Sequence, residues 1–340
     1  MIVKSKSIPY NLIGLQALQR RISENHPQAT KINERIRIAT AGVNGEKSLH
    51  SIFVKYKFNY KHFVLHDLNL TSTGKFQIDT LFLSSQGAFI LEVKNIAGRI
   101  SFPEQWNQLV RVLDNGQVDS FECPSIQLER NSYLLKDWFE ARNLSIPVSG
   151  AVVFTKTSQH IENSRAHLTI LFPNEVPSYL RKRESNATLV DFETIAHATD
   201  ELLNSHADYN PYPMCETFHI KSNEIKSGVQ CEKCGTLGMM KVNRGWGCKV
   251  CQNVSKTAHR QAIADWFMLK RETMTNLECR EFLHIKNNYT ATRLMRDFPL
   301  QQNGANRGSY YSFPLEMMSS LYEESPDLQA KEPRVQADSE

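Results

Sequence analysis

The spacing of apolar residues changes along the chain, and each change marks an element. Leu12, Leu15, Leu18 and Ile22 recur at helical spacing within residues 9–26, and a second helix is expected over Gln28–Ala41. A third, from Gly45 to Tyr56, puts Leu49, Ile52, Phe53 and Tyr56 on one side. From His62 the pattern turns strand-like. His62–Leu70 predicts a strand, Thr71–Gly74 its turn, and Phe76–Asn95 a hairpin whose β-branched and aromatic runs flank Ser84-Ser85-Gln86-Gly87. Gly98–Phe102 and Leu109–Leu113 read as further strands, and Pro124–Asn143 as a helix with proline in its first turn. The continuous apolar run Ile146–Phe154 predicts a central strand covered on both faces. A strand at Leu168–Phe172 and helices at Asn174–Leu180 and Asp191–Asn204 complete an α/β/α sandwich around a mixed sheet.

The hairpin carries the first candidate chemistry. Strand side chains alternate between faces, so Glu92 and Lys94 share one face while Phe89, Leu91 and Val93 share the other. Asp79 lies six residues before Ser85 and Glu92 five after Gly87, which brings the two carboxylates nearly level across the ladder. Two carboxylates beside one ammonium suit a hard divalent cation, and with it phosphodiester hydrolysis. The plainer reading is a strand-end cap at Asp79 and a solvated Glu92–Lys94 pair. The apolar surroundings of Phe89-Ile-Leu-Glu-Val weigh against it, because carboxylates are rarely buried without a partner.

Further residues carry a resemblance. Gly45-Glu46 at a helix start, Ile78-Asp79, Gly87-Ala-Phe-Ile-Leu-Glu92-Val-Lys94-Asn95, Gly98, Trp106 and Pro124-Ser-Ile-Gln127 together resemble the nuclease-related domain, NERD. That family is regarded as a divergent branch of the PD-(D/E)xK restriction-endonuclease-like nucleases, and the resemblance covers roughly residues 40–160. It implies a restriction-endonuclease-like α/β/α sandwich with a mixed sheet, and Mg²⁺ or Mn²⁺ held by Asp79 and Glu92. Lys94 would be the catalytic lysine, Glu46 an additional acidic group and Gln127 a helix glutamine bordering the site. Cys123 departs from the pattern, standing where an asparagine commonly precedes the proline. Without the resemblance, Glu46 reads equally well as an acidic residue favouring its helix N-terminus. His66 and Asp67 read as structural, and Trp106 as a packing residue.

Composition changes the picture in two ways. With 340 residues, 41% of them hydrophobic, the chain is long enough for two or three domains. It contains no apolar run of about 18 residues, so no membrane span is expected, and its first residues lack the pattern of a secretory signal. Seven cysteines, four of them in C-x-x-C pairs, suit a reducing compartment, and a cytoplasmic protein is expected. The net charge of +4 divides into +1 over 1–225, +8 over 226–314 and −5 over 315–340. The middle segment reads as a polyanion-binding or merely basic surface, the last as a solvated tail.

Residues 206–228, with Pro211 and Pro213, read as a linker. Beyond it, Cys231-Glu-Lys-Cys234 and Cys248-Lys-Val-Cys251 resemble a zinc ribbon, each knuckle supplying two thiolates to a closed tetrahedral Zn²⁺ site. Residues 257–313 then predict three helices and a wing-like turn at Gly304–Gly308. By layout they resemble a winged-helix module, with Thr290, Thr292, Arg293, Arg296 and Arg307 as nucleic-acid contacts. A three-helix packing unit is the alternative.

The expected organisation is a helical extension (1–40), a NERD nuclease-like domain (41–205), a linker (206–228), a zinc ribbon (229–254), a helix-turn-helix module (255–314) and a disordered acidic tail (315–340). The expected function is a metal-dependent deoxyribonuclease delivered to DNA by its C-terminal modules. Action on RNA and a homodimeric assembly remain open. The alternative is a non-catalytic nucleic-acid-binding or regulatory protein that uses the NERD domain for docking.

Overall fold

The structure, a computed structural model, describes residues 1–103, 107–157, 159–162, 168–184, 188–208, 213–314 and 317–324. Trp106 and the tail beyond Glu324 lie outside the described residues, as does the side chain of Arg307. In chain order the first elements are β1 (Ile2–Lys4), α1 (Tyr10–Arg21), α2 (Ala29–Lys55), β2 (His62–Thr71), β3 (Lys75–Ser84), β4 (Gly87–Lys94), β5 (Arg99–Ser101), β6 (Gln108–Val112), β7 (Val118–Glu122), α3 (Pro124–Glu140), β8 (Val148–Phe154), β9 (Ile161–Glu162), β10 (Ile170–Leu171), α4 (Val176–Glu184) and α5 (Phe192–Ser205). There follow α6 (Met214–Thr217), β11 (Val229–Gln230), β12 (Leu237–Val242), β13 (Gly245–Gly247), β14 (Val254–Ser255), α7 (Ala258–Leu269), β15 (Thr273–Thr275), α8 (Asn276–Leu283), α9 (Asn288–Arg296), β16 (Gln301–Asn303), β17 (Tyr310–Ser312) and α10 (Met318–Glu324). The chain forms two compact units, residues 1–6 with 39–208, and residues 7–38 with 209–340.

The first unit is built on a mixed sheet of order β1-β2-β3-β4-β8-β10. Strands β2, β3 and β4 are antiparallel, whereas β8 runs parallel to β4 and β1 parallel to β2. The hairpin register, Ser84↔Gly87 through Thr80↔Leu91, is the one its turn predicts. Gly87 closes that turn at φ +94, where an added Cβ would lie 2.4 Å from the Pro147 carbonyl oxygen. Leu81, Leu83, Ala88 and Ile90 pack one face of the sheet against Leu128, Leu135 and Trp138 of α3 and Ile195 and Leu202 of α5. Phe82, Phe89, Leu91 and Val93 pack the other against Leu49 and Phe53 of α2 and Val176 and Leu180 of α4. The architecture is mixed α/β, with helices on both faces of this sheet. A second sheet, β7-β6-β5-β9, follows the hairpin, and its outer strand β7 was hidden from pattern reading because almost all of its residues are exposed.

Several expectations need correction. The helices expected at Gln28–Ala41 and Gly45–Tyr56 are one helix, Ala29–Lys55. Gly42 and Gly45 each cost only about 1 kcal/mol in a helix, and no proline interrupts it. Arg181 and Arg183 sit in the last turn of α4, where Arg181 donates to the Lys57 carbonyl and Arg183 to Ser149 Oγ.

In the second unit, residues 7–38, expected within an N-terminal extension, contribute α1 to a core shared with α7 and α8. The stretch expected as a linker contains α6 and buries Met214, Phe218, Ile220 and Ile225 there. Pro213 immediately precedes α6, whose Met214 and Cys215 are buried in that core. Part of the expected tail is also ordered: α10 buries Met318, Leu321 and Tyr322, a short apolar face inside an acidic stretch. The strands β11-β12-β13-β14 form a small antiparallel sheet. After it come α7, β15, α8 and α9, and then the hairpin β16–β17, whose second strand pairs with β15.

Candidate active site

One position beyond the last hairpin pair, Thr80↔Leu91, Asp79 and Glu92 stand opposite each other. Asp79 Oδ2 accepts the Val93 backbone N–H at 2.8 Å, which fixes that carboxylate against the end of β4. Glu92 is 1% exposed on the central strand β4. Its Oε1 accepts from Lys94 Nζ at 2.7 Å, while its buried Oε2 has no hydrogen-bond partner among the described residues. Lys94 Nζ also donates to Gln127 Oε1 at 2.8 Å. Gln127 reaches it because Pro124 opens α3 three residues earlier and Asn131, one turn later, donates to the Gln77 carbonyl and ties α3 to β3.

Glu46 comes from α2. Gly45 allows that helix to approach the end of β4, since an added Cβ would lie 2.7 Å from Asn95 Cβ, and Asn95 Nδ2 donates to the Ala41 carbonyl at 2.7 Å. Gly45 and Asn95 are therefore the two halves of one helix–strand contact. The five residues expected at the site are thus gathered at one end of the hairpin.

The electrostatics are those of carboxylates short of cations. Burial, then Asp79, pushes the Glu92 carboxyl up to about 8, against the pull of Lys94. Burial, then Asp79, pushes Glu46 up to about 7, with Lys6 opposing. Burial also raises Asp79, against Lys94 and the Val93 N–H. A buried carboxylate oxygen without a donor and a neighbouring carboxylate form a donor set that suits a hard divalent cation.

Residues 41–155 match the NERD nuclease-related domain family. The match spans about a third of the chain and contains Glu46, Asp79, Glu92, Lys94 and Gln127. No curated protein and no solved structure matches the chain.

Two further residues lie beside this site: Lys6, which sequence reasoning missed, and Asp67, which it read as structural. Lys6, outside the matched segment, is 4% exposed in its side chain; its ammonium pairs with Glu46 and lies 3.5 Å from Asp67 Oδ2. Burial disfavours the ammonium, but Glu46 and Asp67 outweigh it and hold its pKa above the ordinary lysine value. Asp67 has φ +51 and interrupts the β2–β3 ladder between His66↔Thr80 and Leu68↔Ile78, opposite Asp79. A non-glycine residue in the left-handed region has no sequence signature, and an early lysine carries no motif.

The four cysteines of the C-x-x-C pairs converge in the second unit, with all four sulfurs within 4.8 Å of one another. Cys231 Sγ lies 3.6 Å from Cys251 Sγ, and Cys234 Sγ 3.6 Å from Cys248 Sγ. That is far beyond a disulfide's length of about 2.05 Å and is compatible with thiolates around one zinc in a ribbon. The knuckles match each other: Gly235 N–H donates to the Cys231 carbonyl and Gln252 N–H to that of Cys248. Both Gly235 and Gln252 have positive φ.

Helix α8 opens on a reciprocal cap, with Thr275 Oγ1 accepting from Glu278 N–H and Glu278 Oε2 from Thr275 N–H. It ends at His284, φ +57, and α9 begins on the Asn287 cap. Arg293 and Arg296 are exposed on α9, whereas Thr290 is half-buried. Thr292 Oγ1 accepts from Asn276 Nδ2 at 2.9 Å and ties α9 to α8. Tyr289, 85% exposed and off the apolar stripe of Ala291, Leu294 and Met295, was missed by sequence reasoning. Its position off that stripe was the available signal.

Proposed function

We propose that the protein is a metal-dependent nuclease acting on DNA, with its site at the end of the β3–β4 hairpin. The observation that carries this reading is Glu92: a carboxylate on a central strand, one oxygen held by Lys94 and the other buried without a donor among the described residues. Asp79 and Glu92 would hold a divalent cation such as Mg²⁺ or Mn²⁺. When bound, the cation supplies positive charge against the scissile phosphate. Lys94 has three N–H donors, of which Glu92 and Gln127 take two, and its side chain is partly open to solvent. The third can orient an attacking water or a phosphate oxygen. Gln127 fixes the rotamer from which Lys94 does so.

In the second unit the order helix, strand, two helices and a hairpin supports a winged-helix-like module, with α9 as the element that meets DNA through Arg293 and Arg296. A zinc ribbon on the four cysteines would brace the same unit. The deciding experiment measures cleavage of plasmid and single-stranded DNA by the wild type and Lys94→Ala with Mg²⁺, Mn²⁺ or EDTA. Metal-dependent cutting that falls on the order of 100-fold or more in the variant, with DNA binding retained, is the expected result. Binding without cutting in both proteins moves the assignment to a docking or regulatory role.

A further inference from the structure

Lys6 lies outside the NERD segment, yet its ammonium is buried against Glu46 and Asp67. It reaches them because β1 pairs in parallel with β2, at Ile2↔Val64 and Lys4↔Leu65, and carries the chain along the edge of the sheet toward the site. The receiving group is specially shaped. Asp67 departs from strand conformation where it faces Asp79, and its other oxygen, Oδ1, accepts from Gln77 Nε2 at 2.7 Å. Backbone strain of this kind persists only where its surroundings hold it, and it gathers at functional sites. Lys4 sits alongside, but its ammonium is bound to the carbonyls of His66 and Asp67 and is turned to the backbone. Glu46 and Asp67 therefore hold one buried ammonium between them, and Asp79 acts on it only through its charge. Two carboxylates bridged by a cation is what a second divalent ion would require.

We propose that Lys6 is a built-in cation occupying the seat between Glu46 and Asp67, so that the nuclease site takes one divalent ion, on Asp79 and Glu92, instead of two. The proposal rests on the reading of Asp79 and Glu92 as metal ligands, and it assigns Glu46 to the ammonium and not to the ion. A neutral side chain at position 6 leaves the Glu46 and Asp67 carboxylates without the cation between them, and a second ion relieves that repulsion. Lysine is a point charge held by direction-tolerant contacts, so arginine preserves the charge and is expected to restore single occupancy.

The test counts Mn²⁺ by electron paramagnetic resonance in the zinc-loaded full-length chain, without DNA. The wild type and Lys6→Arg are expected to bind one ion, Asp79→Asn none, and Lys6→Gln two. Thermal melting establishes that Lys6→Gln is folded. Glu46→Gln gives a second route that leaves Lys6 in place, and it is expected to keep one ion. One ion in folded Lys6→Gln, or loss of the ion in Glu46→Gln, overturns the proposal alone. No ion in the wild type overturns the metal reading of Asp79 and Glu92 and the proposal with it.

Discussion

Gln127 Oε1 accepts a hydrogen bond from Lys94 Nζ at 2.8 Å across thirty-three residues of chain, so the first turn of α3 sets where the lysine of β4 points. Replacing the amide with Gln127→Leu keeps the volume and removes the acceptor. Turnover is expected to fall about 10- to 100-fold, the usual effect of removing a group that orients a functional one, with DNA binding little changed. Single-turnover cleavage at saturating protein separates the two quantities. An equal loss in binding would show that Gln127 holds the strand and not the lysine.

Metal affinity should depend on pH with a defined sign. The Glu92 carboxyl, pushed up to about 8 by burial and Asp79, carries its proton at neutral pH in the metal-free chain. A cation binds the carboxylate and expels that proton. Apparent affinity is therefore expected to rise about tenfold per pH unit up to about 8 and then level off. In the metal-free chain the folded state holds this proton more tightly than the unfolded state does. Glu92 thus makes stability fall as pH rises from the ordinary glutamate range to about 8. Calorimetric titration of Mn²⁺ in two buffers of different ionisation enthalpy reads the proton release directly.

Much of the fold was legible because it rests on local pattern. The hairpin register followed from turn composition and alternation, and the four-cysteine cluster from spacing alone. Gly45, Glu46 and Asn95 were read as motif residues, and the structure gives Gly45 and Asn95 their physical meaning as a helix–strand contact. What stayed hidden depends on tertiary placement. Lys6 is an ordinary lysine until β1 lies beside β2, and Asp67 looks like a strand residue until its φ is known. Residues 206–228 look like a linker by their prolines, whereas Met214, Phe218, Ile220 and Ile225 are buried in a core built partly from α1.

The four clustered cysteines give a stability prediction. Cys248→Ser is expected to abolish zinc binding and cost the second unit on the order of several kcal/mol, since structural zinc contributes folding energy outright. Zinc content per chain and the thermal midpoint check it together.

Asp265, fully buried, accepts from Arg20 Nη2 at 2.6 Å and Arg21 Nε at 2.8 Å. Asp265→Ala leaves the buried Arg21 guanidinium without its counter-charge and is expected to cost about 3–5 kcal/mol. Urea unfolding measures it. A loss below about 1 kcal/mol would mean that the Lys226 and Gly228 carbonyls suffice to hold Arg21.

On α9, Arg293→Ala is expected to weaken DNA binding and reduce the salt slope of log affinity by about one, as loss of a phosphate contact does. Tyr289→Ala is expected to weaken binding with the slope unchanged, because an exposed ring contributes stacking and not counterion release. Fluorescence anisotropy across a salt series distinguishes the two.

Strand β4 is paired along its length by β8 and through Gly87–Leu91 by β3, whereas β1 is a three-residue edge strand. Amide hydrogens of β4 should then exchange only when the unit unfolds, and those of β1 by local fraying. Glu92 and Lys94 ride on the last backbone to open and Lys6 follows the first. Gentle warming would thus release the ammonium from Glu46 while the carboxylate of Glu92 and its lysine stay in register, so the ion-binding properties of the site would change before the fold is lost.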